Sequence, residues 1–368
     1  MTNRFRIRRR KFTGFQRAAL VTAALAVSAG AAPQAPDSIQ DLLVRLEVGR
    51  PVSHGCLTVV PVYADRARDP AGCVTLEEAL ARGWLEISEL DGGRVPLVRM
   101  SNLSKRRIFV MGGEILTGCR QDRIQARDLL IGPGRRDLAI PVFCVEQGRW
   151  SAVSPRFTSK ANLGTPSLRA RAMTGAPGAQ AEIWGKISEQ NRRLRIRSDS
   201  DAYQAAFEAS GRKTAIDRVE AGVRRELKLG PDVVGVVIGL GNRVVGVDIF
   251  ADAALFRKQW PKILKSSALS SLQIEEEGRL TRDRAADFLR GFQGRRFQAR
   301  PALDLGSELF VSDSDLQASA LVFKGSVLHL AGFPVKERIR VIKKVDPEHR
   351  VRVIREPVSC KITGRVGE

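Results

Sequence analysis

The sequence predicts an α+β protein, with a β-rich N-terminal unit of sandwich or barrel type followed by a mixed α/β C-terminal unit. From about residue 41 to 150, short apolar runs are separated by turn residues such as Gly132-Pro133-Gly134, which is typical of consecutive short strands. From 182 to 335, segments with helical apolar spacing alternate with strand-like runs. Hydrophobic residues make up 43% of the chain and charged residues 27%, a balance that indicates neither a disordered nor a membrane-embedded protein.

The N-terminal segment 1–31 predicts an export signal. Its basic stretch RFRIRRRKF leads into the Ala-rich run AALVTAALAVSAGAA, and small residues at 29–31 suit cleavage. Arg9-Arg10-Lys11-Phe12 also resembles the twin-arginine signal. The run is short and weakly apolar, so no stable transmembrane span is predicted. The predicted location is the periplasm or the extracellular space, and the alternative is a cytoplasmic protein whose start codon is mis-assigned.

The β-rich unit, 41–150, begins with the strand-like stretch HGCLTVVPVYA, in which apolar residues alternate. A short helix is predicted in TLEEALARG, because Thr75 and Glu78 can form a capping box and Gly83 stands at the stop position. The remaining strands are predicted in the runs WLEISEL, VPLVRM, RIFVMG, DLLIG and LAIPVFCVE.

Residues 151–181 have a different composition. They are rich in Ser, Gly, Pro and Ala, contain no acidic residue, and carry the basic residues Arg156, Lys160, Arg169 and Arg171. A stretch this long without clear structural signals is typical of a linker or a functional lid. We predict a flexible basic loop that acts as a linker, with a lid as the alternative.

The mixed α/β unit, 182–335, begins with a helix predicted in EIWGKISEQNRRL, and Ser200 is a candidate cap for the next helix. One apolar face at helical spacing follows in the residues Ile216, Val219, Val223 and Leu227. The runs VVGVVIGL and RVVGVDIF flank Gly241-Asn242, which predicts a β-hairpin. Asp252 and Thr281 are predicted to cap two further helices.

The end of the chain combines strand signals with basic residues. SALVFKG and SVLHLAGF predict two strands before residue 335. The tail, 336–368, contains RIRVIKK and RVRVIRE on either side of Asp346-Pro347, which predicts an exposed basic hairpin.

The charge of the chain favours anionic partners. The formal net charge is +21, and it stays at +14 when the seven basic residues that precede the first acidic residue, Asp37, are subtracted. A phosphate- or nucleotide-like small molecule, an anionic membrane surface or an acidic macromolecular partner fits this charge, whereas no sequence-specific nucleic-acid binding is predicted. The alternative is that these charges are only a solvated surface.

Cysteine and histidine usage predicts neither a metal site nor a cofactor. The five cysteines contain no C-x-x-C pair, and the three histidines lie far apart. If the protein is exported, Cys56 and Cys73 could form a disulfide.

Candidate chemistry is concentrated in IPVFCVEQGRW, residues 140–150. Glu146 follows an apolar strand and could act as a general base, while Arg149 could pair with a phosphate and Trp150 could stack on a base or sugar. The competing interpretation is an internal Glu146–Arg149 pair with Trp150 packed in the core. Cys144 is a candidate reactive thiol, but a neighbouring carboxylate disfavours its thiolate, so a buried structural cysteine is the alternative.

A second candidate stretch is GGEILTGCRQDRI, residues 112–124. Glu114, Gln121 and Arg123 could bind a ligand, and the glycines permit tight turns or close approach of the backbone. The stretch lacks the Gly-Lys-Ser/Thr ending of a P-loop. The competing interpretation is a rigid turn held by a Glu114–Arg123 pair.

Two further polar residues lie in apolar runs. Asp248 is predicted to cap the helix that follows it, with a second site carboxylate as the alternative. His329 is predicted to be a satisfied core histidine, with a catalytic base as the alternative.

The stretches GGEILTGCRQDRI, IPVFCVEQGRW and VVGVDIFADAALFRKQWPKIL together resemble the ARG and rhodanese-phosphatase-superfamily-associated protein domain family, an uncharacterised family found largely in bacteria. The resemblance spans roughly residues 50–335. The positions that fit the family's pattern are Gly113, Glu114, Gly118, Gln121, Arg123, Cys144, Glu146, Arg149 and Trp150. The resemblance implies a role near ADP-ribose or phosphorylated-nucleotide processing, since the family's name records association with ADP-ribosylglycohydrolase and phosphatase-type domains.

These observations predict a binding module for an anionic nucleotide- or sugar-phosphate-like ligand related to ADP-ribose. Its site would contain Glu114, Gln121, Arg123, Arg149 and Trp150, with Glu146 able to support weak hydrolysis. One alternative is a non-enzymatic envelope or interaction protein with a basic surface. The other is a thiol-dependent hydrolase that uses Cys144.

Overall fold

A computed structural model describes residues 37–65, 71–90, 96–274 and 278–335, together with the backbone of 343–345 and 351–353. The N-terminal part contains the helices α1 (Asp37–Leu43) and α2 (Leu76–Ala81). Its strands are β1 (Leu46–Val48), β2 (Val52–His54), β3 (Leu57–Ala64), β4 (Val74–Thr75), β5 (Leu85–Glu89), β6 (Leu97–Asn102), β7 (Ile108–Val110), β8 (Ile115–Gly118), β9 (Arg123–Gln125), β10 (Leu129–Ile131), β11 (Leu138–Cys144) and β12 (Phe157–Thr158).

The C-terminal part contains both helices and strands, and the predicted α+β class is confirmed. The helices are α3 (Pro166–Thr174), α4 (Ala179–Arg193), α5 (Ala205–Glu208), α6 (Ser210–Glu226), α7 (Ala253–Ser271) and α8 (Arg282–Arg290). The strands are β13 (Val233–Leu240), β14 (Arg243–Phe250), β15 (Gln298–Pro301), β16 (Ser307–Ser312), β17 (Leu316–Phe323), β18 (Ser326–Pro334), β19 (Lys343–Val345) and β20 (Val351–Val353).

A large antiparallel sheet joins the two parts of the chain. Its strand order is β1-β3-β13-β14-β18-β17-β16-β15, with β2 paired to β3. β3 and β13 are apolar along almost their whole length, and they are buried on both faces. On one face Val60 packs with α1 and α8, and on the other Val59 packs with α7. The first strands of the predicted N-terminal unit therefore belong to the C-terminal sheet, because β3 pairs with β13 and carries β1 and β2 with it.

Residues 71–158 form the barrel-like unit that the sequence predicts. A six-stranded sheet, β12-β8-β9-β11-β6-β5, and a three-stranded sheet, β10-β7-β4, surround one apolar core. In β11, Ile140, Val142 and Cys144 are buried while Pro141 and Phe143 are partly exposed, because successive side chains of a strand point to opposite faces.

Most local signals in the sequence form the predicted structures. Thr75 and Glu78 make the capping box of α2, and Asp252 and Thr281 cap α7 and α8. Gly241, at φ +58°, begins the turn between β13 and β14. Ser200 does not have the predicted role of a helix cap. Its hydroxyl instead donates a hydrogen bond to the Glu146 carboxylate at 2.7 Å.

The segment 151–181 contains β12 and α3 and is not a continuous loop. Pro166 stands at the first turn of α3, and Gly175 ends the helix in the left-handed conformation at φ +59°. Leu168 is buried against the neighbouring helices. The composition of the segment did not predict this helix, because Pro at the beginning of a helix and Gly at its end are also frequent in loops.

Several predictions concern residues outside the described part of the chain. The export signal lies outside it, as does most of the tail. The described strands β19 and β20 pair antiparallel, with Lys343 opposite Val353. The turn predicted at Asp346-Pro347 lies outside the described residues. Among the described residues, no helix is both long enough and apolar enough to cross a membrane.

Candidate functional site

The carboxylate of Glu146 lies beyond the end of β11 and is held by its own neighbours. It accepts hydrogen bonds from the Arg149 guanidinium at 2.5 Å, the Ser200 hydroxyl at 2.7 Å and the Asp122 backbone N–H at 3.2 Å. Burial raises its pKa, but these hydrogen bonds outweigh burial, so the pKa of Glu146 lies below its usual value. A carboxylate with a lowered pKa is a weak general base near neutral pH.

Arg149 completes an ion-pair cluster around this carboxylate. Besides Glu146, its guanidinium contacts the Asp122 carboxylate at 3.1 Å and donates to the Cys119 carbonyl oxygen at 2.6 Å. Gln121 donates from its amide to the Glu146 carbonyl oxygen at 2.9 Å. We call these residues the Glu146 cluster: Gln121, Asp122, Glu146, Arg149 and Ser200. The internal Glu146–Arg149 pair weighed from the sequence is therefore present.

Arg123 lies behind this cluster and is only 1% exposed. It stands opposite Cys144 where β9 pairs with β11, and its guanidinium donates to the Gln121 side-chain oxygen at 3.2 Å. Among the described residues, no carboxylate lies within ion-pair distance of Arg123. Burial, the largest influence, lowers its pKa.

Trp150 lies at the surface, with 54% of its area exposed, so the alternative of a core tryptophan is wrong. The Arg120 guanidinium lies 5.7 Å from its ring centre. Trp150 is therefore the member of the predicted site that faces solvent.

Cys144 is buried, and its thiol donates to the Glu146 carbonyl oxygen at 3.1 Å. Burial is the main reason that the pKa of Cys144 is raised, and burial also raises the pKa of Cys119 to about 11. Such thiols carry little thiolate at neutral pH, which favours a structural cysteine over a nucleophile.

Glu114 contacts a different part of the molecule. It is fully buried, forms a close ion pair with Lys262 of α7, and accepts a hydrogen bond from the Met111 N–H at 3.2 Å. Burial raises the pKa of Glu114, and the charge of Lys262 opposes this effect. Lys262 also contacts Glu77 at 2.7 Å. The pairing of Glu114 with Arg123 that the sequence suggested is therefore wrong, because Lys262 takes that place.

A buried charged network, which the sequence did not predict, joins four residues from α3, β14, β18 and the connection between β9 and β10. We call Asp128, Arg169, Asp248 and His329 the His329 network. The two ring nitrogens of His329 lie 2.7 Å from Asp128 and 3.2 Å from Asp248. Burial lowers the pKa of His329, but the two carboxylates outweigh burial and raise it to about 9, so the ring is an imidazolium at neutral pH.

Arg169 connects this network to α3. Its guanidinium makes two hydrogen bonds to the Asp248 carboxylate, at 2.9 and 2.5 Å, and a third to the Gly112 carbonyl oxygen at 3.2 Å. Asp248 therefore pairs with Arg169 of α3, and it does not cap the helix that follows it, as the sequence predicted. Gly113, at φ +100°, is required beside Arg169, because a Cβ atom there would lie 2.4 Å from the Arg169 side chain. The prediction of His329 as a satisfied core histidine is confirmed.

A cleft of about 950 Å³ lies beside α3, the helix that carries Arg169 of this network. We call it the cleft. Its lining comes from the N-terminal turn of α3, from α4, from the start of β14, from α8 and from the end of β18. Phe333 forms part of the wall, and the Arg169 guanidinium lies 5.0 Å from its ring centre. The cleft was not predicted, because its lining residues are far apart in the sequence.

The lining of the cleft combines apolar and charged groups. Val244, Val245 and Phe288 provide an apolar side. The acidic residues of the lining are engaged with arginines, as in the Glu189–Arg193 pair at 2.5 Å. Lys186 also faces the cleft, and no carboxylate in the described part of the chain lies within ion-pair distance of it.

A model of the ARG and Rhodanese-Phosphatase-superfamily-associated Protein domain matches residues 45–333. The chain belongs to this family. The range that defines this ARG and Rhodanese-Phosphatase-associated domain begins just before β1 and ends within β18, so it contains the Glu146 cluster, the His329 network and the lining of the cleft up to Phe333. The family resemblance drawn from the sequence is confirmed. Comparison with curated proteins finds no match, and comparison with solved structures finds none.

Proposed function

We propose that this domain binds an anionic nucleotide- or sugar-phosphate-like ligand, of the ADP-ribose class, in the cleft. The observation that carries the proposal is the combination of an apolar wall with a helix N-terminus and an unpaired lysine around one open volume of about 950 Å³. This volume lies within the range of small-molecule sites, about 300–1,000 Å³.

The N-terminal turn of α3 supports binding of a phosphate. Thr165, Pro166 and Ser167 of this turn line the cleft, and among the described residues no side chain caps the helix. The first backbone N–H groups of a helix have no partner within the helix, and the helix dipole favours negative charge there. A phosphate beside Ser167 would use both effects.

The apolar side of the cleft supports binding of a base. Val244, Val245 and Phe288 offer a surface on which a planar ring could pack. The lysine at position 186 adds a positive charge on the α4 side. Because the acidic side chains of the lining already pair with arginines, their charges oppose an anion less than isolated carboxylates would.

The Glu146 cluster takes no catalytic part in this proposal. Its carboxylate is engaged by three donors and its pKa is lowered, so hydrolysis through Glu146 lacks a free base. The association recorded in the family's description favours a phosphorylated-nucleotide ligand but does not require turnover. We therefore propose binding rather than catalysis.

A thermal-shift screen tests the proposal with ADP-ribose, NAD, nucleotides and sugar phosphates. A ligand at 100 times its Kd adds about 2.7 kcal/mol to the stability of the folded protein. The key variant is Ser167→Glu, because a carboxylate at an exposed helix N-terminus suits the helix and repels a bound phosphate. Ser167→Gln is its matched neutral control.

We expect a shift with one ligand class that persists in Ser167→Gln and disappears in Ser167→Glu. Lys186→Glu should reduce the shift, whereas Lys105→Glu, at an exposed lysine outside the cleft, should leave it unchanged. No shift with any ligand would overturn the proposal and favour the envelope or interaction protein. A shift unaffected at Ser167 but lost in Trp150→Ala would place the ligand at Trp150, outside the cleft.

A further inference from the structure

Gln273 belongs to a part of the cleft wall where two helices end. It follows α7, and Ser270 of α7 and Arg193, the last residue of α4, also line the cleft. The Arg193 guanidinium donates to the Gln273 backbone carbonyl oxygen at 3.4 Å, so the two helix ends are in contact. The carbonyl groups at the C-terminus of a helix carry partial negative charge. This part of the cleft therefore favours a hydrogen-bond donor over a phosphate.

The side-chain amide of Gln273 is held in one orientation. Its nitrogen donates to the Leu269 carbonyl oxygen at 3.3 Å and to the Gln190 side-chain oxygen at 3.2 Å. A backbone carbonyl can only accept a hydrogen bond, so the nitrogen of the amide, and not its oxygen, must face Leu269. These two bonds use both hydrogens of the amide nitrogen. Gln273 therefore offers a ligand only its side-chain oxygen.

This oxygen is open to the surroundings. Among the described residues, no group donates a hydrogen bond to it, and it is not enclosed by protein atoms. Gln273 itself lines the cleft and is half-buried. An acceptor whose position is fixed by two other hydrogen bonds distinguishes a donor on a ligand from an acceptor at the same place, because two acceptors repel each other.

We propose that Gln273 selects nucleotides whose base carries an exocyclic amino group, as adenine does, over those with a carbonyl oxygen at that position. This inference rests on the proposed function, and it adds which base the cleft accepts and which residue decides. The amino group of the base donates to the Gln273 side-chain oxygen, while the phosphate lies at the N-terminal turn of α3.

Apolar residues beside Gln273 provide a surface for the base. Ile274 is its neighbour in the chain, and Ile274, Leu240 and Val245 all line the cleft. The three residues belong to one apolar cluster or pack against it. Apolar lining with a few placed polar groups is the usual composition of a small-molecule site, in which the polar groups determine specificity.

The distance between the two contacts fits a nucleotide. The Ser266 hydroxyl of α7 donates to the Gly164 carbonyl oxygen at 2.8 Å, so the chain just before the N-terminal turn of α3 lies beside Ser266. Gln273 follows Ser266 by seven positions, which corresponds to about 10 Å at the rise of an α-helix. In a nucleoside 5′-monophosphate, a ribose and a ring system separate the phosphate from the amino group, which is a comparable span.

Isothermal titration of the full chain with AMP and IMP tests this inference, because one ring position carries an amino group in AMP and a carbonyl oxygen in IMP. We expect a Kd at least about tenfold lower for AMP, since in IMP an acceptor faces the Gln273 oxygen. Gln273→Leu, which removes the amide, should bring the two Kd values close together. Gln298→Leu, at an exposed glutamine of β15 outside the cleft, should keep the wild-type ratio.

The ratio of the two Kd values within each protein separates selectivity from stability. Circular dichroism confirms that Gln273→Leu is folded, and the wild-type ratio tests the inference without this variant. A preference for AMP that persists in folded Gln273→Leu would overturn the role of Gln273.

Two further outcomes separate this inference from the proposed function. Equal Kd values of AMP and IMP in the wild type, with both nucleotides weakened by Ser167→Glu, would overturn the inference and leave the proposed function in place. Binding of neither nucleotide, together with no thermal shift from any sugar phosphate, would overturn the proposed function as well.

Discussion

The Glu146 cluster and the cleft differ in what their polar groups contact. In the cluster, Glu146 and Arg149 lie three positions apart and satisfy each other, with Ser200 and Asp122 completing the contacts. In the cleft, Lys186 and the N-terminal turn of α3 face open volume. Residue types that are common in catalytic sites are therefore concentrated in the Glu146 cluster, where they make their hydrogen bonds and ion pairs with one another.

The His329 network explains how the cleft is held in place. Arg169 belongs to α3, whose first turn lines the cleft, and it binds Asp248 of β14. Asp248 in turn contacts His329 of β18. The network thus anchors the helix N-terminus to two strands of the large sheet, and the buried charges support the cleft without entering it.

The largest expected effect is on stability when Arg169 is removed. Arg169→Ala leaves the buried Asp248 carboxylate without its bidentate partner, a change that typically costs about 3–5 kcal/mol. Arg218→Ala, at an exposed arginine of α6, should change stability by less than about 0.5 kcal/mol. Urea unfolding measures both, and equal small losses would contradict the anchoring role.

The next effect is a loss of stability at alkaline pH. The folded-state pKa of His329 is raised from 6.5 to about 9, so its stabilising contribution is complete below pH 6.5 and is lost as the pH rises through 9. The shift corresponds to a contribution on the order of 3 kcal/mol. Unfolding free energies at pH 6.5 and 10 should therefore differ more for the wild type than for His329→Gln. A parallel pH dependence in the two proteins would contradict the charged His329 network.

A smaller loss of stability is expected in the Glu146 cluster. Glu146→Gln keeps the shape of the side chain but removes the charge that Arg149 contacts, and the lost charged hydrogen bonds correspond to about 1–3 kcal/mol. Ligand-induced stabilisation should remain as in the wild type, because the cluster lies outside the cleft. Glu47→Gln, at a side chain that is 78% exposed, is the control for the loss of one carboxylate. A loss of the ligand effect in Glu146→Gln would restore the cluster as the binding site.

The smallest effect on stability is expected at Ser167. Ser167→Glu adds a negative charge at the exposed N-terminus of α3, which should stabilise the protein by about 0.3–1 kcal/mol. The same variant should lose the anionic ligand. Thermal unfolding with and without ligand separates the two effects, and a destabilised Ser167→Glu protein would contradict the helix-terminus argument.

Local structure could be predicted from the sequence because its causes are local. Thr75 and Glu78 are three residues apart, and the turn at Gly241 depends on two adjacent residues. By contrast, His329 meets Asp128 across 201 positions of sequence. No local pattern marks such a contact, so the network and the cleft could be found only in the tertiary structure.

The candidate site could be predicted only in part, for the same reason. The sequence indicated a Glu146–Arg149 pair because the two residues are close in sequence. Ser200, which donates a hydrogen bond to the same carboxylate, is 54 positions away from Glu146 and could not be recognised. Glu114 was grouped with Arg123 by sequence, although Lys262 is its partner in the fold. Sequence proximity identified polar groups correctly but could not say which of them remain open to a ligand.

Isothermal titration of the ligand that gives the largest thermal shift is the most direct test of binding in the cleft. The proteins to compare are the wild type, Ser167→Glu, Ser167→Gln and Glu146→Gln. We predict that Ser167→Glu raises the Kd at least about tenfold, equivalent to about 1.4 kcal/mol, while the other two variants bind like the wild type. Unchanged binding in Ser167→Glu together with lost binding in Glu146→Gln would contradict the proposed site.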